Sequence, residues 1–128
     1  MNNKKLVITL FFTLISLYMN GSNIDYPKFD TKEKKIIFFG NSITQSWSDY
    51  TEFFSNNGYV NKGISGQTTD QMLVRFKKDV VDEKAYCVVI LAGINDLAEN
   101  NGPITLEEIF ENIKSMVKIA DDNGNELP

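Results

Sequence analysis

The sequence predicts an α/β fold, a parallel sheet held between helices in three layers. Three observations lead to it. Ile36–Phe39 and Ala85–Ala92 are apolar at consecutive positions, the pattern of strands covered on both faces. Stretches of helical period follow each strand candidate. The resulting order, strand, helix, strand, helix, strand, helix, specifies crossover connections and therefore a parallel sheet. A chain of 128 residues suffices for one small domain.

The first 22 residues stand apart. Lys4 and Lys5 precede an apolar run, Leu6 to Met19, and the small polar stretch Asn20-Gly21-Ser22 follows. This is the pattern of a secretory signal peptide over residues 1–22, and it implies a secreted or periplasmic product. The run is shorter than the roughly 20 residues of a membrane-spanning helix, so no span is expected after cleavage. An uncleaved anchor is the competing reading, because the site is not a clean Ala-x-Ala. Residues 23–35, polar and containing Pro27, read as a leader into a domain at 36–128.

Composition removes several function classes. The net charge is −4 and no basic stripe occurs, which argues against nucleic acid as a partner. Cys87 is the only cysteine, so there is no internal disulfide and no cysteine near the leader to carry a lipid. Cys87 lies in an apolar strand pattern and reads as a buried, inert thiol. With no histidine and one cysteine, no metal site is expected, and no cofactor is expected either.

Each element has its own local signals. Ile36–Phe39 is the first strand. Thr44 is the expected N-cap of a helix carrying Trp47, Tyr50, Phe53 and Phe54 towards the core, and Asn57-Gly58 stops it. Tyr59–Asn61 is a short second strand. Gly63 to Thr69 is a loop rich in glycine, serine and threonine. Thr68-x-x-Gln71 reads as a capping box. Met72, Leu73, Phe76 and Val80 form the apolar face of that helix, with Lys77, Lys78 and Asp79 on its wet side. Ala85–Ala92 is the central strand, ended by Gly93-Ile94-Asn95-Asp96. Thr105-x-x-Glu108 is a second capping box. Ile109, Ile113, Met116, Val117 and Ala120 share one face of the last helix, which Asn123-Gly124 ends.

In an open parallel sheet, the loops after the strands gather at one edge, where such folds place their sites. Those loops contain Ser42, Gly66 and Asn95. A serine raised at a strand-to-helix turn can act as a nucleophile, and nearby backbone N–H groups favour developing negative charge. Gly66 offers a backbone N–H that can be closely approached, and Asn95 offers a side-chain amide. Singly, each has a plainer reading: a turn serine, a flexible glycine, an asparagine capping its own turn. Asp96 reads as structural. Together they suit ester hydrolysis through Ser42, yet the chain has no histidine to act as base. Lys62 lies near the second loop but reads as a surface lysine.

These three stretches carry a resemblance. Gly40-Asn41-Ser42-Ile43-Thr44, Asn61-Lys62-Gly63-Ile64-Ser65-Gly66 and Gly93-Ile94-Asn95-Asp96 resemble, in order, the first three blocks of the SGNH hydrolases, or GDSL esterase/lipase family. The resemblance covers about residues 35 to 120. It implies a flavodoxin-like sheet order. It also implies Ser42 as nucleophile, Gly66 and Asn95 as oxyanion-hole donors, and a small acyl ester of a carbohydrate or lipid, acetyl esters included, as substrate. Asn41 stands where the family has aspartate. The family's Asp-x-x-His block, which supplies the base, follows further strands. Asp121 and Asp122 are followed by no histidine, so the chain reads as a truncated SGNH domain of about three strands, inactive alone. Its central strand is then expected to leave one edge unpaired. The alternative is a non-catalytic secreted module that binds acylated glycans. A flavodoxin-like cofactor or receiver domain would need a phosphate loop or an acidic cluster, which the sequence lacks.

Overall fold

The computed structural model describes residues 34–124 and the short strand Val7–Thr9. The elements are β1 (Val7–Thr9), β2 (Ile36–Gly40), α1 (Ser42–Ser46), a 3₁₀ turn (Trp47–Tyr50), α2 (Thr51–Asn56) and β3 (Tyr59–Gly63). They continue with α3 (Thr69–Phe76), a π turn (Lys77–Val81), β4 (Cys87–Leu91), α4 (Ile94–Leu97) and α5 (Leu106–Gly124). All strand pairs are parallel, in the order β1-β4-β2-β3. The expected α/β architecture with three principal strands is therefore present.

The open sheet edge is expected for a domain without residues 1–22, and part of that stretch covers the edge in the full chain. The outer edge of β4 is not bare: Val7–Thr9 pair with Val88–Ile90. These residues belong to the stretch read as a signal peptide. The rest of that stretch, and the leader apart from Lys34 and Lys35, lies outside the described residues.

The core sits where β2 and β4 meet α3 and α5. Ile37, Phe39, Val88 and Ile90 point from the strands against Met72, Phe76, Val80, Met116 and Ala120 from the helices. Alternate residues of β2 and β4 are deeply buried, as the period of two requires. On the other face Phe38 contacts the rings of Trp47, Phe54 and Tyr59, at 5.9, 5.3 and 5.3 Å between centroids. Phe53, expected in the core, is 58% exposed, because the helix that should carry all four aromatics breaks into α1, a 3₁₀ turn and α2.

Both predicted capping boxes form. Gln71 Oε1 accepts from Thr68 N at 3.2 Å. Glu108 Oε2 accepts from Thr105 N at 2.8 Å, while Glu108 N donates to Thr105 Oγ1 at 3.2 Å. The expected cap at Thr44 is wrong. Asn41 caps α1, with its Oδ1 accepting from Ile43 N at 3.1 Å, and Thr44 is buried inside the helix. Asn41 outcompetes Thr44 because its side chain lies at the strand end, where the first free helix N–H groups appear.

Candidate active site

The site begins with close packing at the end of β2. A Cβ on Gly40 would lie 2.1 Å from Thr44 Oγ1 and 2.9 Å from the Leu91 carbonyl, so no larger residue fits without movement. The chain can then turn at once into α1, and Ser42 is the first residue of that helix, half-buried at the carboxyl edge of the sheet. Asn41 beneath it is fully buried. Its Nδ2 finds no acceptor among the described residues, a burial that costs about 1–3 kcal/mol.

The second loop is tied to this turn. Asn61 Nδ2 donates to the Thr44 carbonyl at 2.6 Å, and its Oδ1 accepts from Gly63 N at 2.8 Å. A Cβ on Gly63 would lie 2.1 Å from Gln45 N, so α1 rests directly on this backbone. Ile64 N donates to the Gly40 carbonyl at 3.0 Å, and Ser65 N to Gln45 Oε1 at 2.5 Å. Gly66 follows, exposed, with φ +77, a left-handed conformation that favours glycine.

The third loop joins from the other side. Asn95 lies in α4, two residues after Gly93, whose φ of +102 ends the run of β4. Asn95 Nδ2 donates to the Gln67 carbonyl at 2.8 Å. Asp96, 1% exposed, accepts from Thr69 N and from Thr69 Oγ1, so its structural reading agrees with the geometry. Ser42, Gly66 and Asn95 are thus linked through Gln45–Ser65 on one side and Gln67–Asn95 on the other. One amide proton of Asn95 fixes the side chain, and its second proton remains for another acceptor.

The structure also shows residues that the sequence reading passed over. Arg75 lies partly buried beneath the site. Its Nη2 donates to the Gly40 carbonyl at 2.9 Å, its Nη1 to the Lys62 carbonyl at 2.9 Å and its Nε to Gln67 Oε1 at 2.5 Å. Nη1 also meets Asp79 at 2.8 Å, and the guanidinium lies 4.1 Å from the Phe39 ring centroid. Asp79, expected on the wet side of its helix, is therefore turned inward, while Lys77 and Lys78 remain exposed. The available signal was that Arg75 is the chain's only arginine, one residue from the core position Phe76.

The other candidate groups have defined surroundings. Lys62 Nζ pairs with Glu83 at 3.2 Å, and Lys35 Nζ meets the same carboxylate at 2.8 Å. Hydrogen bonds from Lys35, then Lys62, hold the Glu83 carboxyl below its usual range. Burial pushes the Cys87 thiol up, away from the reactive thiolate. No cluster of metal-ligating side chains occurs among the described residues. A cavity of about 310 Å³ adjoins the third loop, lined by Asp70, Asn101, Glu108 and Asn112 among others. Its polar groups are engaged locally: Asp70 with Thr68 and Asn101, Glu108 with Thr105, Asn112 with Thr69.

Comparisons with known proteins identify the family. Residues 38–125 match the model of the GDSL-like Lipase/Acylhydrolase family. A GDSL-like lipase (BT0569) from Bacteroides thetaiotaomicron superposes with a TM-score of 0.71 at 44% identity, over 77% of this chain and 49% of that one. A catalytic mutant of Axe2, an acetylxylan esterase from Geobacillus stearothermophilus, superposes with a TM-score of 0.61 at 25% identity, over 70% and 55% of the two chains. The uncharacterized lipoprotein YqeF of Bacillus subtilis (strain 168) is 32% identical over 109 residues, 81% of this chain and 40% of that protein. This chain thus spans about half the length of these solved relatives, or less than half in the case of YqeF. With the matched region covering most of the described residues, the chain belongs to the GDSL-like lipase/acylhydrolase family.

Proposed function

We propose that Ser42 is the nucleophile of a hydrolase acting on small acyl esters, and that Ser42 N, Gly66 N and Asn95 Nδ2 stabilise the oxyanion. The observation that carries this reading is the linkage of the three loops. Gln45 holds Ser65 next to the nucleophile turn, and Gln67 holds Asn95. Ser42 Oγ attacks the ester carbonyl carbon, and the carbonyl oxygen takes the negative charge. The alcohol leaves with a proton, forming the acyl-enzyme, and water then releases the acid. Acetyl esters of carbohydrates or lipids are the proposed substrates. The likeness to an acetylxylan esterase and to a GDSL-like lipase supports them.

The proton of Ser42 needs a base, and none of the 128 residues is histidine. Alone, this chain is proposed to turn over ester negligibly. Without the base, only a residual rate from binding and the oxyanion hole remains. The second reading is a module that binds acylated glycans without cleaving them. Export to a secreted or periplasmic location is supported by Lys4-Lys5 before an apolar run and by the likeness to a lipoprotein.

The test is incubation of the chain and its Ser42→Ala variant with p-nitrophenyl acetate, followed by mass spectrometry and by nitrophenolate release. Slow acetylation at Ser42 without sustained turnover is expected. Equal acetylation of both proteins at lysines alone would remove Ser42 as nucleophile and leave the binding module. Rapid turnover would overturn the proposed inactivity.

A further inference from the structure

From the way Arg75 joins β2, β3 and the Gly66 loop beneath Ser42, we infer that Arg75 and Gln67 are positioning residues that hold the oxyanion donors in register. This inference rests on the reading of Ser42, Gly66 and Asn95 given above. It assigns the register of that pocket to two side chains that touch neither the ester nor the nucleophile.

The geometry exceeds what an ordinary ion pair requires. Arg75 and Asp79 are four residues apart on one helical stretch, and their bond alone would satisfy the carboxylate. Yet three other donors of the same guanidinium reach three separate places. One is the Gly40 carbonyl, two residues before Ser42. Another is the Lys62 carbonyl at the end of β3. The third is Gln67 Oε1, one residue after Gly66. Gln67 in turn accepts from Asn95 through its backbone carbonyl. A single planar group therefore connects the ends of β2 and β3 to the loop that carries Gly66 and supports Asn95. Such a fork has fixed donor directions, and its packing on Phe39 restrains it further. A lysine, with one point charge, cannot meet four acceptors in one plane. The Gly66 loop itself is exposed, and a Cβ built on Gly66 has nothing within 4 Å, so packing on that residue does not set its position.

The test uses the 128-residue chain labelled with ¹⁵N, in wild-type form and as Gln67→Ala, Gln67→Glu and Arg75→Lys. The first readout is the pair of Asn95 side-chain amide signals, which a bond to Gln67 separates. The second is affinity for phenylboronic acid. Its boron accepts Ser42 Oγ to form a tetrahedral adduct, the serine proton passes to buffer, and a boron-bound oxygen takes the oxyanion position. Gln67→Ala is expected to collapse the Asn95 signature and to weaken the boronate about tenfold. Gln67→Glu retains an acceptor for Arg75 and is expected to restore both. Arg75→Lys is expected to lose at least as much as Gln67→Ala, with the amides of Val88 and Ile90 unchanged. Unaltered Asn95 signals and boronate affinity in Gln67→Ala would overturn the inference. So would a loss in Gln67→Ala spread evenly over the sheet amides. Should Arg75→Lys fail to fold, the Gln67 pair decides alone. Should the wild-type chain bind no boronate, the nucleophile reading falls, and the Asn95 signals alone decide whether Arg75 and Gln67 position that amide.

Discussion

Asp96 receives both the backbone N–H and the hydroxyl of Thr69, at 2.9 and 2.5 Å, across 27 residues of sequence. Both residues are almost completely buried. The bond fastens the loop after β4 to the start of α3, and so sets Asn95 beside Gln67. Asp96→Ala should therefore leave two buried donors without an acceptor and destabilise the chain by about 3 kcal/mol. Urea denaturation measures this directly. A loss under about 0.5 kcal/mol, the range of an ordinary surface substitution, would show that the Thr69 groups find other partners.

The two glycines should respond to a methyl group by different amounts. In Gly63→Ala the new carbon meets backbone atoms, Gln45 N at 2.1 Å and the Thr44 carbonyl carbon at 2.6 Å. Helix α1 must then shift, at a cost of roughly 3 kcal/mol or more. In Gly66→Ala there is free space, and only the left-handed backbone opposes the change, by about 1–2 kcal/mol. Equal melting temperatures for the two variants would contradict this packing of α1 on β3.

Acid should weaken the chain through its caps. The Thr68 hydroxyl, first among its partners, holds the Asp70 carboxyl below the usual range, and the Thr105 backbone N–H does the same for Glu108. A depressed folded-state pKa contributes stability that is present above the unfolded value. That stability is lost as pH falls through the folded value. The loss should begin near pH 4, where such carboxyls ordinarily titrate, and continue below it. The double variant Asp70→Asn with Glu108→Gln should flatten this acid limb in urea midpoints between pH 7 and pH 3.

Ser42→Ala should separate chemistry from folding. The hydroxyl is half-buried, while the cap of α1 comes from Asn41. Stability should change by less than about 0.5 kcal/mol, while acetylation at this position disappears. A large drop in melting temperature would instead give the hydroxyl a structural part in the turn.

Much of this was legible because it is local. Consecutive apolar residues marked β2 and β4, and both capping boxes were spelled by residues three apart. The helical period placed Met72, Phe76 and Val80 inward. The loop residues Ser42, Gly66 and Asn95 could be assigned to one sheet edge from topology alone. Thr44 was misread as a cap because the competing cap, Asn41, depends on where β2 stops, and a strand end is set by its partners. Asp79 was misread because a helical wheel does not know that a partly buried arginine waits one turn earlier.

By itself, the sequence determined the α/β class, the order of elements, the three candidate site residues and that none of these 128 residues is histidine. Periodicity, caps and composition act over a few residues and need no knowledge of the fold. Only the tertiary structure decided that Arg75 lies under the site, that Asn61 and Gln45 fasten the second loop to α1, and that Val7–Thr9 pair with β4. Those relationships join groups far apart in sequence. Their hydrogen-bond geometry exists only once the strands are in register and bring the loop ends together.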